Sequence, residues 1–399
     1  MAARGIGGRV AIVGMGCTSF GDLPGRGVDD LLVDAALEAV ASTRLEIGDV
    51  DAFWLGTYAS SVAGTTLSKP LKLDGKPVSR NENFCVTGSD AFRNACFAVA
   101  SGAYDVAMAI GAEKTGDTGT AGVPGTPPPG DGTLLEITPP GLFGYLSDGY
   151  LAAYGISPEE LKTALTHISY KNHANGVDNP RAAYRQLISK ERIASTPNLA
   201  GNLSLLDCGG LTDGGAAAIV CRAEDAHRYT DTPIYVHGMG MAVGPGTGAI
   251  DPAYDYTGFP EVAAAGREAY RQAGVTDVPA QIGMAEVHDC FTVTELVLME
   301  DLQFTPRGTS WRAVLDGAFD RDGMLPVNPD GGLQSFGHPI GASGIRMLFE
   351  CWLQLRGEAG RRQLDLDGRF AMTQNLGGWP GECVAFVSVL GGERAAEVG

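Results

Sequence analysis

Short apolar runs that alternate with helical stretches, in both halves of the chain, constrain this sequence more than any other feature. Residues 9–15 (RVAIVGM) carry β-branched side chains and close on Gly16, which reads as a buried strand. The stretch 28–42 places Leu31, Leu32, Ala35, Ala36 and Ala39 on one side of a helix, and AFWLGT at 52–57 reads as the next strand. Segment 80–113 repeats the pattern with NFC, an alanine-rich helix from about Thr87 to Gly102, and the strand DVAMAIGAE. This βαβ grammar predicts an α/β fold built on a buried parallel sheet. The second half restates it: PIYVHGMGMAVG at 233–244, a helix over 260–274, MAEVHDC, a helix over 292–303, a helix after GHP, then FAMTQNLGG and ECVAFVSVL. The expected domains are therefore an N-terminal half, 1–225, and a C-terminal half, 226–399, two similar αβ units facing each other across one cleft. Between Lys114 and about Asp207 the pattern loosens, with PGTPPPGDG at 124–132 as its most loop-like piece and polar helices around 157–176, before strand grammar returns at 215–221. An insertion of that length, about 114–207, reads as a loop region that covers substrate.

Composition then narrows the function. The chain carries 29 basic and 47 acidic residues, a formal charge of −18, so it has no basic stripe to release phosphate counterions. Nucleic acid is excluded as a partner, and an anionic membrane surface is equally disfavoured. No apolar run reaches the roughly 18 residues that span a bilayer, and no signal-type segment opens the sequence. The eight cysteines sit mostly in apolar runs and form no C-x-x-C pair, which argues against a disulfide framework or a zinc ribbon, and no metal site is expected. A reducing, cytoplasmic setting is expected.

Four segments can carry chemistry. Cys85 stands at a strand-to-helix junction before small residues, where the positive end of the helix macrodipole favours thiolate; a buried thiol that merely packs fits the local sequence equally well. GGLQSFGHPIGASG at 331–344 sets His338 between glycines and a Pro-started helix, and glycines let main chain approach a ligand closely. EVHDCF at 286–291 ends a strand, and alternation sends His288 and Cys290 to one side and Asp289 to the other, so an imidazole and a thiol could act together. QNLGGWPG at 374–381 follows a strand and offers backbone N–H groups, including that of Gly377, of the oxyanion-hole type; by itself it is an ordinary glycine turn.

Taken together, and with YKNHANGVDNPRA at 170–182, these segments resemble the thiolase superfamily, specifically the sterol-carrier-protein-type (lipid-transfer) thiolases and acetyl-CoA acetyltransferase-like proteins. Ordinary thiolases carry N-E-A-F where this chain has HDCF and C-x-G-G where it has NLGG, so the usual second cysteine is missing and Asn375 stands in its place. The resemblance implies a five-layer αβαβα sandwich of two similar halves with an inserted loop region, and a homodimer or tetramer. It implies an acyl-CoA C-acyltransferase that uses coenzyme A as substrate or product and binds no permanent cofactor. Cys85 is then the nucleophile of an acyl-enzyme, and His338 activates it. Cys290 replaces the missing acid/base, His288 and His338 donate to the thioester oxygen, and the amides of Cys85 and Gly377 hold the tetrahedral oxyanion. The only dense basic run, which includes Lys171, Arg181, Arg185, Lys190 and Arg192, is expected to meet the coenzyme A phosphates, with Lys171 and Arg181 nearest; a solvated helix face is the other reading. Phe143, Tyr145 and Tyr150 are candidates for lining a bulky acyl pocket, for a fatty, steroid side-chain or aromatic (benzoylsuccinyl-type) group. Two other functions stay open, a retro-aldol lyase acting on an acyl-CoA and a non-catalytic scaffold. A small zinc-ribbon/OB-fold accessory subunit is a further expected partner.

Overall fold

The structure is a computed structural model that describes residues 5–117, 138–246, 248 and 253–394. The loop-like piece 124–132 lies outside the described residues.

The strands are β1 (Val10–Cys17), β2 (Ala52–Gly56), β3 (Val78–Asn81), β4 (Val106–Glu113), the short β5 (Asn198–Ala200) and β6 (Leu203–Ser204), β7 (Gly214–Arg222), β8 (Ile234–Val243), β9 (Ile282–Glu286), β10 (Phe370–Trp379) and β11 (Glu382–Gly391). The helices that matter for the site are α1 (Val28–Ala41), α2 (Thr65–Leu71), α3 (Thr87–Ala100), α4 (Pro139–Tyr154), α5 (Pro158–Val177), α6 (Lys190–Ala194), α7 (Pro260–Ala273), α8 (Val278–Gln281), α9 (Thr292–Asp301), α10 (Ser310–Leu315), α11 (Gly332–Ser335) and α12 (Ile340–Arg356). Nine strands form one hydrogen-bonded network in the order β3-β2-β4-β7-β1-β8-β11-β10-β9. Its centre is the pairing of β1 with β8, the first strands of the two expected halves.

The expected parallel sheet is in fact mixed. β2 runs parallel to β3 and β4, and β9 parallel to β10, but β7 and β11 run antiparallel to their neighbours. The reason is local for β11: only Pro380 and Gly381 separate it from β10, and so short a turn permits only an antiparallel return.

Burial sorts the side chains into an α-β-α-β-α stack. Leu31 and Leu32 of α1 pack with Phe53, Ile110 and Ile219 on the outer face of the first strands. Phe92 of α3 and Ile345 of α12 share a middle core with Val220 and Phe386, one residue from each set of strands. Val262 and Leu296 lie with Val387 on the other outer face. Among the described residues no helix is long and apolar enough to cross a membrane.

The insertion differs from its expectation as a loop region. Much of its described part is α4 and α5, whose Phe143, Leu146, Leu161 and Ile168 join the outer core with Leu296 and Met299. The polar helix expected around 157–176 is α5; what the sequence hid is its burial, because Lys171, Asn172, His173 and Asn175, all buried, read as a solvated face. Tyr150 is likewise a core residue, its hydroxyl donating to Glu300 Oε1 at 2.6 Å, so it lines no acyl pocket. Tyr145 is exposed, and Phe143 packs with a tilted ring against Phe291, the residue after Cys290, with centroids 4.7 Å apart.

Candidate active site

Small residues bring the site together. A Cβ added at Gly341 would lie 2.5 Å from Gly56 O and 2.9 Å from Ala112 O, so the start of α12 rests directly on the ends of β2 and β4. One at Gly344 would meet Ser89 N of α3 at 2.6 Å. The glycines of GHPIGASG therefore serve helix–sheet and helix–helix contact, and the gain is that His338, two residues before α12, is carried to the start of α3. Buried Glu113, at the end of β4, fixes this junction: its carboxylate accepts from the amides of Tyr58, Ala59 and Ser60 and from Gly341 N at 3.2 Å.

Cys85 enters from the other side. NFC does not continue a strand, because β3 ends at Asn81; Phe84 has φ 49°, a left-handed turn that tips the next residue out of the chain direction. Cys85 Sγ then lies 3.1 Å from His338 Nε2. His338 Nδ1 lies 2.7 Å from Ser343 Oγ, whose single proton goes to Pro339 O at 2.9 Å. Ser343 can then only accept from the ring, so Nδ1 carries the proton and Nε2 offers its lone pair to the thiol.

A second imidazole faces the first, with ring centroids 5.4 Å apart and planes at 82°. His288 belongs to an irregular segment after β9, which ends at Glu286. Its backbone N–H donates to Gln374 Oε1 at 3.1 Å, and its Nδ1 accepts from Asn375 Nδ2 at 3.3 Å, which leaves the proton on Nε2. Asp289 turns the opposite way and accepts from the amides of Leu333 and Gln334 at 2.6 and 3.2 Å, holding α11. Behind both histidines, fully buried Arg346 pairs with Glu286 and Asp330, tying the end of β9 to the turn before α11 and to α12.

Cys290 is part-buried, and its thiol lies 3.8 Å from Thr294 Oγ1. Gly377 is inside β10, which runs through NLGG to Trp379 rather than ending before it as the sequence reading had it. A Cβ at Gly377 would lie 2.7 Å from Asn83 O and 3.1 Å from Cys85 N, so only glycine lets this strand touch the Cys85 turn. Cys85, His288 and His338 thus converge, their ligand atoms within 4.8 Å of one another, and the Gly377 backbone closes on Cys85.

The resting charge state is neutral. Burial pushes the Cys85 thiol up to about 12, with Glu82 and Glu113 adding to it, while burial and then Arg346 bring His338 down to about 3. His288 is held well below the ordinary imidazole range by burial, then by His338 and Arg346. Burial also raises the Cys290 thiol, and neighbouring Cys85 adds to it. The thiolate expected at the helix start is therefore not the ground state: desolvation outweighs the macrodipole, and the pair waits as thiol and imidazole.

The two phosphate-binding candidates do not join this group. Lys171 is buried, its Nζ 2.9 Å from Glu295 Oε1, 2.6 Å from Asn172 Oδ1 and 2.7 Å from Val327 O, so it has no donor left for a ligand and its charge serves the core. Arg181 is chelated by Glu38 at 2.6 Å and lies over the Phe349 ring at 5.2 Å. It lines a separate cleft with Phe349, Trp352 and Arg362. Phe349 lies nine residues into α12, about 14 Å along the axis from the end that carries His338.

Sequence reasoning passed over Ser343, Glu113 and Gln374. Ser343 alone had a readable signal, a hydroxyl one helical turn beyond the GHP peptide.

Comparison with known proteins follows the same lines. Residues 10–224 match the model for the thiolase N-terminal domain, and residues 242–391 that for a thiolase C-terminal domain-like family. The chain is 35% identical over 390 residues to an acetyl-CoA acetyltransferase of Methanothermobacter thermautotrophicus, covering 95% of this chain and 98% of that one. It is 31% identical over 389 residues to human sterol carrier protein 2, covering 92% of this chain and 70% of that protein. Among solved structures it is similar in fold to the Ltp2-ChsH2(DUF35) aldolase, with a TM-score of 0.80, 24% identity, and 98% and 100% of the two chains covered.

Proposed function

This chain belongs to the thiolase superfamily, in its sterol-carrier-protein-type branch, and is an acyltransferase; from that premise we propose that it cleaves 3-oxoacyl-CoA with coenzyme A, or runs the same Claisen chemistry in reverse, through an acyl-enzyme on Cys85. The observation that carries the reading is the 3.1 Å contact of Cys85 Sγ with a His338 whose proton is fixed on the far nitrogen by Ser343.

In cleavage, the thiol proton passes to His338 Nε2 as sulfur attacks the 3-keto carbon. Developing charge on the keto oxygen is held by the amides of Cys85 and Gly377. The C2–C3 bond breaks, its electron pair enters the thioester, and the enolate-like oxygen accepts from His288 Nε2–H. Cys290 protonates C2, and the thioester that carries C1 and C2 leaves, while the C3 acyl group stays on Cys85. Coenzyme A then gives its proton to the Cys290 thiolate and attacks the acyl-enzyme, and Cys85 recovers its proton from His338. The neutral resting pair supports this order, since proton transfer is coupled to attack rather than completed before it.

The proposal includes a homodimer, supported by β3, which lies at the edge of the nine-stranded sheet and hydrogen-bonds only to β2 among the described strands. The zinc-ribbon/OB-fold subunit belongs to the same proposal. The test is coenzyme-A-dependent thiolysis over a thioester panel running from acetoacetyl-CoA to steroid side-chain and benzoylsuccinyl thioesters, with and without that subunit. Thiolysis of at least one member is expected. Aldehyde or ketone release without coenzyme A consumption would instead mark a retro-aldol lyase.

A further inference from the structure

We propose that Cys85, His288 and His338 are a thiolate–bis-imidazole site for a zinc-class divalent ion, and that binding of the ion reversibly shuts the enzyme. Among the described residues this is the one group of three or more His, Cys, Asp or Glu whose donor atoms converge, all within 4.8 Å of one another. A tetrahedral ion with ordinary Zn–N and Zn–S bonds of about 2.0–2.1 and 2.3 Å sets its ligand atoms roughly 3.3–3.6 Å apart. Cys85 Sγ and His338 Nε2 are already 3.1 Å apart, and side-chain rotations of about an ångström close the rest. The two rings meet edge to face at 82° and do not stack on each other. Thiolate with imidazole selects zinc-class ions over magnesium and calcium, which take oxygen ligands.

The outer partners of a metal site are also in place. Ser343 holds the His338 proton on Nδ1 and leaves Nε2 as the ligand atom. His288 needs its own proton on Nδ1, where Asn375 now donates. The Asn375 Oδ1 atom is buried without a hydrogen-bond partner, so a half-turn of the amide presents it to an Nδ1–H and frees Nε2 for the ion. Asn375, standing where the family's usual second cysteine is missing, thus fits both the catalytic and the metal-bound tautomer. The balance is simple: the ion replaces the Cys85 thiol proton, one proton leaves to solvent, the His288 proton changes nitrogen with no net loss, and water takes the fourth position.

The inhibitory half of the proposal rests on the proposed acyl transfer; the binding half rests on geometry alone, and the experiment separates them. The full chain, free of chelator, is titrated with Co²⁺ and then with Zn²⁺, and thiolysis is followed in parallel. A thiolate-to-cobalt charge-transfer band with intense tetrahedral d–d bands should saturate at about one ion per chain, release about one proton, and be displaced by Zn²⁺. Zn²⁺ should abolish turnover and EDTA restore it. Cys85→Ala should lose the charge-transfer band, while Cys208→Ser, outside the group, keeps it. His288→Gln, His338→Gln and Asn375→Ala should each weaken Zn²⁺ binding at least tenfold. Absence of the band in the parent protein, or its persistence in Cys85→Ala, overturns the site. A normal cobalt spectrum in a protein with no thiolytic activity would leave the site standing and remove the acyl-transfer reading instead.

Discussion

Ser343→Ala tests the proton bookkeeping of the Cys85–His338 pair without touching either residue. Ser343 is fully buried, accepts the His338 Nδ1 proton at 2.7 Å and spends its own on Pro339 O. Removing the hydroxyl leaves a buried ring N–H without an acceptor, at a cost of about 1–3 kcal/mol, which the imidazole escapes by moving its proton to Nε2. That proton then points at Cys85 Sγ, and the ring can no longer take the thiol proton. At 1.36 kcal/mol per factor of ten, the population of the productive tautomer falls roughly 5- to 150-fold. The rate of iodoacetamide labelling at Cys85 and kcat/KM for thiolysis should fall by that factor together. The ring nitrogen shifts of selectively ¹⁵N-labelled His338 should report the tautomer change, and the thermal midpoint should move only slightly. Unchanged labelling, turnover and ring shifts in Ser343→Ala would refute the argument, because the lone pair on Nε2 would then not depend on Ser343.

Cys290→Ala should stop α-proton exchange of an acyl-CoA in deuterated buffer while Cys85 still acylates, since the Cys85–His338 contact is untouched; unchanged deuterium incorporation removes Cys290 from the mechanism. Lys171→Ala should leave Glu295 as a buried, uncompensated carboxylate and destabilise the fold by about 3–5 kcal/mol in denaturant titration, with the KM for coenzyme A unmoved; a raised KM at normal stability would return Lys171 to the ligand. His173 is buried with no partner on Nδ1 and burial lowers it from 6.5 to about 4. Its folded value lies below its unfolded one, so the unfolded chain binds the extra proton and stability falls as pH drops from about 6.5 to about 4, by at most about 3 kcal/mol. His173→Gln should flatten that part of the stability–pH curve relative to the parent, and parallel curves would show that His173 takes its proton in the folded state.

What was legible in the sequence was whatever depends on short-range pattern. RVAIVGM, DVAMAIGAE and ECVAFVSVL are runs whose residues are nearly all buried, and each became a strand within a few residues of its expected bounds. Strand direction was not legible, because it is set by how β7 and β11 return to the sheet and not by their composition. The charge on Lys171 read as a phosphate ligand or a solvated face because its partner Glu295 is remote in sequence and brought near only by α5 packing on α9. Similarly, nothing local connects Cys85 with His338, which are 253 residues apart; their pairing entered the reading through the family motifs, and the structure adds the physical means in Gly341, Gly344 and Glu113. The protonation state was the least legible of all, since the helix start favours thiolate and only the surrounding burial reverses it.

The central claim is a covalent acyl group on one sulfur. The chain is mixed with a 3-oxoacyl-CoA that the panel shows to be turned over, quenched in acid before coenzyme A is added, and weighed intact and as peptides. The account predicts a mass increase equal to one acyl group, located on the peptide bearing Cys85, lost on addition of coenzyme A and missing in Cys85→Ala. Turnover with no such adduct on Cys85, or an adduct carried by Cys290 or another cysteine, would contradict it.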